Sequence, residues 1–251
     1  MIIYVKVRAN GEYHSQNISH AAAGFREMGA EIKKYHVLDE IYEKVTADDI
    51  VVDYIDQVQT ILRKFGVTCD CPDYPEQLYP FMGRSIWRDH INSINTHPEK
   101  WGIFVKPVKD KVFTGHIING PRDLIGCGSC YEDYEVICSE ILDIRREWRG
   151  FMLYDELVDI RPYRGDYHYH YDAAVVDGVV EAFRSIPGRP MGCSIDFAVA
   201  CKEGKEQTIF LEMNDGYALG NYGLLPVLYA KLISARWSQL LKRKDVFDFR
   251  G

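Results

Sequence analysis

The sequence predicts an α+β protein of two parts, a small N-terminal α/β domain over residues 1–80 and a larger domain over residues 81–251. In the first part, strand patterns alternate with helix patterns, which favours a small parallel sheet. The prolines and cysteines of residues 69–75 interrupt that alternation and mark the predicted boundary. In the second part, helices separate strands that look antiparallel, which is typical of α+β domains.

The composition is that of a folded protein and narrows the possible classes. Of the 251 residues, 47% are hydrophobic and 27% are charged, which excludes disorder, collagen and coiled coil. No apolar run approaches the ~20 residues needed to cross a bilayer. The charged first residues resemble a strand rather than a signal peptide, so we expect a cytoplasmic protein without a membrane partner. The net charge of −7 argues against a nucleic-acid partner. The oligomeric state does not follow from the sequence.

The N-terminal part contains four predicted elements. Two β-rich runs, residues 2–5 and 50–54, predict strands. Residues 21–28 and 55–65 predict helices, because apolar side chains recur there at helical spacing and a glycine follows each segment. Strands joined by helices in this way form a parallel sheet, since the crossover carries the chain back to the same end.

The larger part contains three predicted helices and seven predicted strands. The helices are residues 84–95, 173–186 and 224–244. The strands are residues 103–106, 111–118, 135–142, 146–153, 157–163, 193–201 and 208–214. Only a short polar turn joins the last two strands, so they are expected to form a hairpin. The glycine-rich residues 115–128 could close over a phosphate ligand as a lid, or form a loose hairpin loop.

Three polar residues near the predicted hairpin could bind a metal ion. Residues two apart on a strand share a face, so Glu212 and Asn214 should project together. Antiparallel pairing could bring Asp196 beside them. Carboxylate and amide oxygens suit Mg²⁺, which takes few protein ligands and completes its shell with water and phosphates. Equally, all three residues can be ordinary polar positions at strand ends.

Basic residues on the predicted strands suggest an anionic ligand. Lys106 lies at the end of an apolar strand and is followed by a proline that keeps it extended, so a phosphate is its natural partner. The alternative is a lysine that extends into water. Glu147, Arg149 and Arg161 can line one polar face of neighbouring strands, where arginines match phosphate or carboxylate oxygens. A surface ion-pair ladder is the alternative for these residues.

Two further clusters contain side chains that can bind a metal. Two closely spaced cysteine pairs could bind zinc: Cys69, Cys71, Cys127 and Cys130. The first pair has the spacing CxC and no third pair supports it, so reduced thiols in the core or in loops are favoured. His168 and His170 would share one face of a strand, but metal-binding histidines usually need a third ligand. An aromatic-rich strand that packs on one side is the favoured interpretation there.

These motifs, taken in order, resemble the ATP-grasp superfamily of ATP-dependent carboxylate–amine ligases. The resemblance covers residues 81–225 and rests on six elements: Phe-Val-Lys-Pro ending at 107, a glycine-containing loop, Ser139-Glu140, Glu147-Trp-Arg149, Asp196 in Ile-Asp-Phe, and Glu212-Met-Asn214. It implies an ATP-grasp fold, in which two α+β subdomains grip ATP, preceded by the small N-terminal α/β domain. A lid-like subdomain is then expected at about residues 101–165.

One departure from the family concerns the residue ahead of the Phe-Val-Lys-Pro strand. The family usually has a lysine there, whereas this sequence offers Arg84 and Arg88, with Lys100 as the nearer lysine. The pattern is similar to an ATP-grasp clade in which arginine takes the place of that nucleotide-binding lysine. Members of that clade are mostly suspected peptide or protein ligases.

The resemblance implies a role for each matched residue. Contacts to the nucleotide are implied for Arg84, Arg88, Lys106, Ser139, Glu140, Ile141 and Asp143. Magnesium ligands are implied at Asp196, Glu212 and Asn214. Catalytic contacts to phosphoryl or carboxylate groups are implied for Lys106, Arg149 and Arg161.

The implied activity is an ATP- and Mg²⁺-dependent ligase that joins a carboxylate to an amine through an acyl phosphate. Small molecules, peptides and proteins are all candidate substrates. Two alternatives remain on the same fold, because a fold does not fix the acceptor. One is a kinase-like phosphotransferase that stops at the phosphorylated product, and the other is a non-catalytic nucleotide-binding module.

Overall fold

The computed structural model describes residues 1–69, 73–108, 112–128 and 132–250. Cys71 and Cys130 lie outside these ranges, as does residue 111, the first residue of the strand predicted at 111–118. Within the described chain no helix is long and apolar enough to cross a membrane.

Contacts between residues group the chain into two compact units. The first unit comprises Met1–Phe81, Arg145–Val199 and Thr208–Gly251, and the second comprises Met82–Ile144 and Ala200–Gln207. The N-terminal residues therefore share a unit with most of the C-terminal strands. The sequence instead separates them at residue 80, and those domain limits stay a prediction.

The N-terminal part of the first unit is a three-stranded parallel sheet with its helices. Its elements are β1 (Ile2–Lys6), α1 (Gln16–Glu27), β2 (Glu31–Tyr35), α2 (Asp39–Tyr42), β3 (Ile50–Val52), α3 (Ile55–Lys64) and a 3₁₀ helix at Glu76–Phe81. The strand order is β2-β1-β3, and both pairs are parallel, which confirms the predicted topology. The sequence missed β2, an edge strand of which only Tyr35 is buried, because its exposed charged residues hide the strand pattern.

The second unit is built on a four-stranded antiparallel sheet. Its elements are β4 (Ile86–His90), α4 (Ile91–Thr96), a 3₁₀ helix (Pro98–Lys100), β5 (Ile103–Pro107), β6 (His116–Ile118), a 3₁₀ helix (Pro121–Leu124) and β7 (Glu135–Ser139), in the strand order β4-β7-β5-β6. The helix predicted at 84–95 is therefore wrong over its first half. Those residues pair with β7, and only the second half is helical. The strand predicted at 111–118 is observed only as β6.

The C-terminal part of the chain carries the longest strands, most of whose residues belong to the first unit. Its elements are β8 (Asp143–Leu153), β9 (Glu156–Gly165), α5 (Ala173–Arg184), β10 (Gly192–Lys202), β11 (Lys205–Asp215) and α6 (Pro226–Leu240). They form a sheet of order β11-β10-β8-β9. Positive φ angles at Glu203 (53°) and Gly204 (76°) fit a two-residue type I′ turn, so the predicted hairpin is confirmed. The predicted last helix is shorter than expected and ends at Leu240.

Helices α1 and α6 explain why the two ends of the chain fall in one unit. Gly24 of α1 lies so close to α6 that a Cβ atom there would come within 2.0 Å of the Pro226 carbonyl oxygen and 2.9 Å of the Ala230 Cβ. Buried residues of both helices belong to one hydrophobic cluster with the parallel sheet. The N-terminal part therefore packs directly on α6 through a backbone approach that only glycine permits.

Candidate functional site

The strand order of the first unit brings the predicted metal and arginine positions together. Glu212 and Asn214 lie on β11, Asp196 lies on β10 next to it, and Arg149 lies on β8 beside β10. The Asn214 Nδ2 atom is 3.3 Å from Glu212 Oε1 and 3.4 Å from Asp196 Oδ2, so all three predicted ligands converge. The shared face of Glu212 and Asn214, expected from the two-residue period of a strand, is observed.

Arg149 and Asp196 form a buried, bidentate ion pair. Arg149 donates from Nε to Asp196 Oδ1 at 2.8 Å and from Nη2 to Oδ2 at 2.7 Å. Only 8% of Arg149 and 1% of Asp196 are exposed to solvent. Burial opposes the charge on Arg149, but its hydrogen bonds to Asp196 and the charge of that carboxylate outweigh this effect, so the pKa of the guanidinium lies above its ordinary value. Burial raises the pKa of the Asp196 carboxyl, and the hydrogen bonds and charge of Arg149 oppose that shift.

Two aromatic rings lie against this ion pair. The Arg149 Cζ atom is 4.8 Å from the ring centroid of Tyr222 and 5.9 Å from that of Tyr163. The two rings stack on each other with centroids 4.9 Å apart and an interplanar angle of 23°. Tyr163 donates its hydroxyl to Glu147 at 2.7 Å, and burial together with nearby carboxylates raises the pKa of that hydroxyl. Stacked rings of this kind hold a guanidinium in place and shield it from water.

Sequence reasoning missed Tyr163 and Tyr222 as site residues. Tyr163 lies two positions beyond Arg161 on β9, so the strand period could have placed both on one face. Tyr222 lies between Gly220 and Gly223 in the turn that follows β11, and it adopts φ of 39°, a left-handed conformation that is uncommon for tyrosine. No signal in the sequence indicated that conformation.

Arg161 has a different environment from Arg149, although the two are opposite each other in the β8–β9 register. Its Nε atom donates to Asp159 on the same strand at 2.8 Å, and its side chain is 38% exposed. The ion-pair alternative therefore describes the contacts of Arg161. Of the two predicted catalytic arginines, Arg149 is the one beside the predicted metal ligands.

The predicted metal ligands fit a magnesium ion in their chemistry. Glu212 and Asn214 carry hard oxygen donors on one strand face, but the Asn214 amide directs Nδ2 at both carboxylates, so it would have to turn to present Oδ1 to a metal. Mg²⁺ commonly takes one or two carboxylates from a protein. Asp196 already accepts from Arg149 with both oxygens, so as a ligand it would share them with the arginine. Across the described ranges no three His, Cys, Asp or Glu residues are grouped closely enough to hold a metal ion. A metal site with three protein ligands therefore needs the amide oxygen of Asn214 as one of them.

The predicted adenine edge lies in the second unit. Glu140 accepts from the Ser85 backbone amide at 3.0 Å and from Lys202 Nζ at 3.1 Å, and these contacts lower the pKa of its carboxyl group. Ser139 is buried at the end of β7, whereas Ile141 and Asp143 are exposed. A fixed carboxylate next to exposed backbone is a suitable place for a base edge, and these roles stay predictions.

The basic residues of the second unit differ in their surroundings. Lys106 is half-buried on β5, where a Cβ atom at Gly115 would come within 2.8 Å of its own Cβ. Arg88 pairs with Glu135 on the exposed face of the sheet at 3.0 Å, and Arg84 donates to a nearby backbone carbonyl. Lys100 donates to Asp89 at 2.7 Å and to Ser93 at 2.6 Å. Lys100 is thus held by its own unit, and Lys106 remains the predicted phosphate contact.

The zinc site suggested by the cysteine pairs depends in part on residues outside the described ranges. Cys127 Sγ lies 3.3 Å from His116 Nε2, and burial raises the pKa of this thiol. The partner cysteines Cys71 and Cys130 lie outside the described residues. The strand predicted through His168 is wrong, because that segment is irregular and Arg146 binds the carbonyls of residues 167 and 169.

A comparison of this sequence with models of known protein families identifies the family of the chain. The model of the ATP-grasp domain of the R-2-K clade, family 2, matches residues 81–232, more than half of the chain. The chain belongs to this family. The resemblance to the ATP-grasp superfamily and the ATP-grasp fold class are thereby confirmed. That one arginine replaces a nucleotide-binding lysine stays a prediction. A search of curated proteins found no match.

Solved structures similar to this ATP-grasp chain share its fold at low sequence identity. The L-amino acid ligase from Bacillus licheniformis has a TM-score of 0.56 at 8% identity, covering 100% of this chain and 77% of its own. N5-carboxyaminoimidazole synthetase from Staphylococcus aureus has a TM-score of 0.54 at 12% identity, and the match covers 97% of this chain and 77% of the synthetase. The macrocyclase MdnC from Microcystis aeruginosa, bound to the precursor peptide MdnA, has a TM-score of 0.51 at 12% identity, and the match covers 93% of this chain and 99% of MdnC. The ATP-grasp fold thus extends over nearly the whole chain.

Proposed function

We propose that this ATP-grasp protein is an ATP- and Mg²⁺-dependent ligase that activates a carboxylate as an acyl phosphate and joins it to an amine. Membership of the family supports an ATP-dependent carboxylate–amine ligase. The single observation that carries the finer proposal is the convergence of Glu212, Asn214 and Arg149 around Asp196 on adjoining strands. Oxygen donors and a fixed guanidinium are what phosphoryl transfer to a carboxylate requires.

Glu212 and Asn214 are the residues that would hold the metal. When bound, magnesium neutralises charge on the transferred phosphoryl group. Asp196 fixes the guanidinium of Arg149 and keeps it charged, so it acts on the reaction through that arginine as well as through any oxygen it shares with the metal. No cysteine or serine nucleophile is needed, because transfer of this kind depends on positioning and electrostatics.

Arg149 would bind the oxygens of the acid substrate and of its acyl phosphate. Two of its three nitrogens are occupied by Asp196, and within the described ranges Nη1 makes no hydrogen bond. A guanidinium held on one side by a carboxylate presents its remaining N–H groups in a fixed direction. The acyl phosphate carries more negative charge than the free carboxylate, on its phosphoryl oxygens, so a contact to those oxygens stabilises the activated state more than the free acid.

The second unit would supply the nucleotide contacts. We assign Lys106 to the phosphates, Glu140 and the backbone of Ser139 and Ile141 to the adenine, and Asp143 to the ribose. A lysine acts on a polyphosphate as a point charge, whereas Glu140 is already held by Ser85 and Lys202. Arg84 and Arg88 are proposed as additional phosphate contacts.

The substrates are a carboxylic acid and an amine. Peptides are proposed as candidates because MdnC, which shares the fold, was solved with a precursor peptide. Free amino acids are equally proposed because another structure of the same fold is an L-amino acid ligase. No nucleic-acid or membrane partner is proposed.

The test is release of ADP in the presence of candidate acids, with and without amines. The acids would be the common amino acids and short peptides, assayed with MgATP. Turnover that requires the amine supports the ligase, turnover without it supports a kinase-like transfer, and nucleotide binding without turnover supports a binding module. Glu212→Gln should abolish turnover and leave the melting temperature unchanged. Glu206→Gln, an exposed change on the same strand, is the matched control. Near-normal turnover in Glu212→Gln would refute the metal assignment.

A further inference from the structure

The turn after β11 is anchored on both sides of a strained tyrosine. The Asn221 backbone amide donates to Asn17 Oδ1 of α1 at 3.1 Å, and Asn221 Oδ1 accepts from the amide of Gly223 at 2.8 Å. Asn221 is only 3% exposed, so this anchor is buried. Between the anchors, Tyr222 holds φ of 39°. Strain of this kind persists where the surroundings fix it and is concentrated at functional sites.

The anchored turn places the Tyr222 ring beside the unused nitrogen of Arg149. Tyr222 is 46% exposed, so burial of its side chain in the core does not explain the strained backbone conformation. One edge of the ring and Arg149 Nη1 both face the position where a side chain at residue 220 would be. A Cβ atom built on Gly220 would lie 3.3 Å from Tyr222 Cε2 and 3.6 Å from Arg149 Nη1.

The space above Gly220 suits the oxygen of an anion. Arg149 is more than nine-tenths buried and carries a full charge, yet in the described part of the chain Nη1 has no acceptor. A buried arginine with unused N–H groups favours a carboxylate or phosphate oxygen at about 2.8 Å. A methyl group at residue 220 would occupy that space, in ordinary contact with Nη1 and in a tight contact with the Tyr222 ring, which would have to shift by a few tenths of an ångström.

We propose that Gly220 and Tyr222 frame an anion subsite at Nη1 of Arg149, which receives the carboxyl or acyl-phosphate group of the acid substrate. This inference rests on the proposed function and adds two residues that set what the subsite admits. Gly220 leaves the space open, and Tyr222 bounds it and keeps water from the guanidinium. The ring of Tyr222, rather than its hydroxyl, carries this role, because its contacts with Arg149 and Tyr163 are through the ring face.

Gly220→Ala tests the subsite with little disturbance of the fold. The backbone at Gly220 is outside the left-handed region, so alanine can adopt it. The three atoms nearest to the added methyl belong to the Tyr222 ring and to the guanidinium, both of which are ends of side chains rather than backbone. Glu206→Ala, an exposed change near the start of β11, is the control.

The probe is acetonylphosphonate, a stable mimic of acetyl phosphate in which a CH₂ group replaces the bridging oxygen, titrated into the full chain labelled with ¹⁵N-arginine. In the wild type we expect the Arg149 Nε–H resonance to shift with the probe. In Gly220→Ala we expect the dissociation constant to rise about tenfold or more, the loss of one charge-assisted contact. Glu206→Ala and Tyr222→Phe should bind as the wild type does, whereas Tyr222→Leu should bind more weakly. The Tyr222 variants decide the question if Gly220→Ala fails to fold.

The results separate this inference from the proposed function. Wild-type-like probe binding in Gly220→Ala and Tyr222→Leu, or no effect of the probe on Arg149 in the wild type, overturns the subsite. Binding of MgADP and release of ADP, measured on the same samples, report on the ligase independently. A protein that turns over with an unchanged KM for the acid in Gly220→Ala is a ligase without this subsite.

Discussion

Breaking the Arg149–Asp196 pair should be costly, because neither group has another ionic partner of equal geometry. Asp196→Asn leaves a guanidinium that is 8% exposed facing a neutral amide. Removing one partner of a buried pair costs about 3–5 kcal/mol, a large part of the ~5–15 kcal/mol that keeps a domain folded. Arg149→Gln should cost a similar amount. The double variant should be more stable than the sum of the single changes predicts, since no lone charge remains.

Urea unfolding, followed by both fluorescence and circular dichroism, measures these differences. Two probes are needed because a chain with two compact units need not unfold in one step. The matched control is Arg161→Gln with Asp159→Asn, a pair on the adjoining strand whose arginine side chain is 38% exposed. Solvent screening limits that pair to about 1 kcal/mol or less. Equal effects at the two pairs, or a cost below about 1 kcal/mol for Asp196→Asn, would refute the assignment of a buried charge.

Three further predictions concern other parts of the chain. His116 faces the Thr114 and Asp123 carbonyls at 2.7 and 2.5 Å, and these bonds raise its pKa above 6.5. Its contribution to stability should be complete below pH 6.5 and lost as pH rises through the raised pKa; a pH-independent difference between wild type and His116→Gln contradicts this. Gly24→Ala should lower the free energy of unfolding by about 2 kcal/mol or more, and an unchanged urea midpoint would argue against the close α1–α6 approach. Lys106→Met should raise the dissociation constant for MgATP about tenfold, whereas the exposed change Lys205→Met should not.

The shared face of the proposed metal ligands could be predicted because it follows from the two-residue period of a β-strand. Glu212 and Asn214 share a face on any strand, and a two-residue turn brings Asp196 to the neighbouring strand. The pairing of Asp196 with Arg149 could not be predicted in the same way. It requires β8 to lie next to β10, a contact between strands that are not consecutive in sequence. Such pairings depend on the whole topology, which one local pattern does not specify.

The error at residues 86–90 has a related cause. Apolar residues at 86, 87, 91 and 94 fit helical spacing, and α4 does contain the last two. The preceding residues nevertheless form β4, because β7 offers an antiparallel partner in which Arg88 lies opposite Ile137. Tertiary pairing overrides local preference in such short segments. Tyr222 is a stronger case, since its left-handed conformation runs against the preference of the residue itself.

The contrast between β11 and the turn that follows it links the fold to the chemistry. At the end of β11, a Cβ atom at Gly216 would come within 2.1 Å of the Gly192 carbonyl oxygen, and one at Gly192 would come within 2.1 Å of the Leu232 carbonyl of α6. Backbone contacts this close hold the strand that carries Glu212 and Asn214, and a site on a rigid element keeps its geometry. A few residues later the chain holds Tyr222 in strain beside Arg149. The metal ligands are therefore fixed by packing, whereas the position of the ring over the guanidinium depends on a few hydrogen bonds around Asn221.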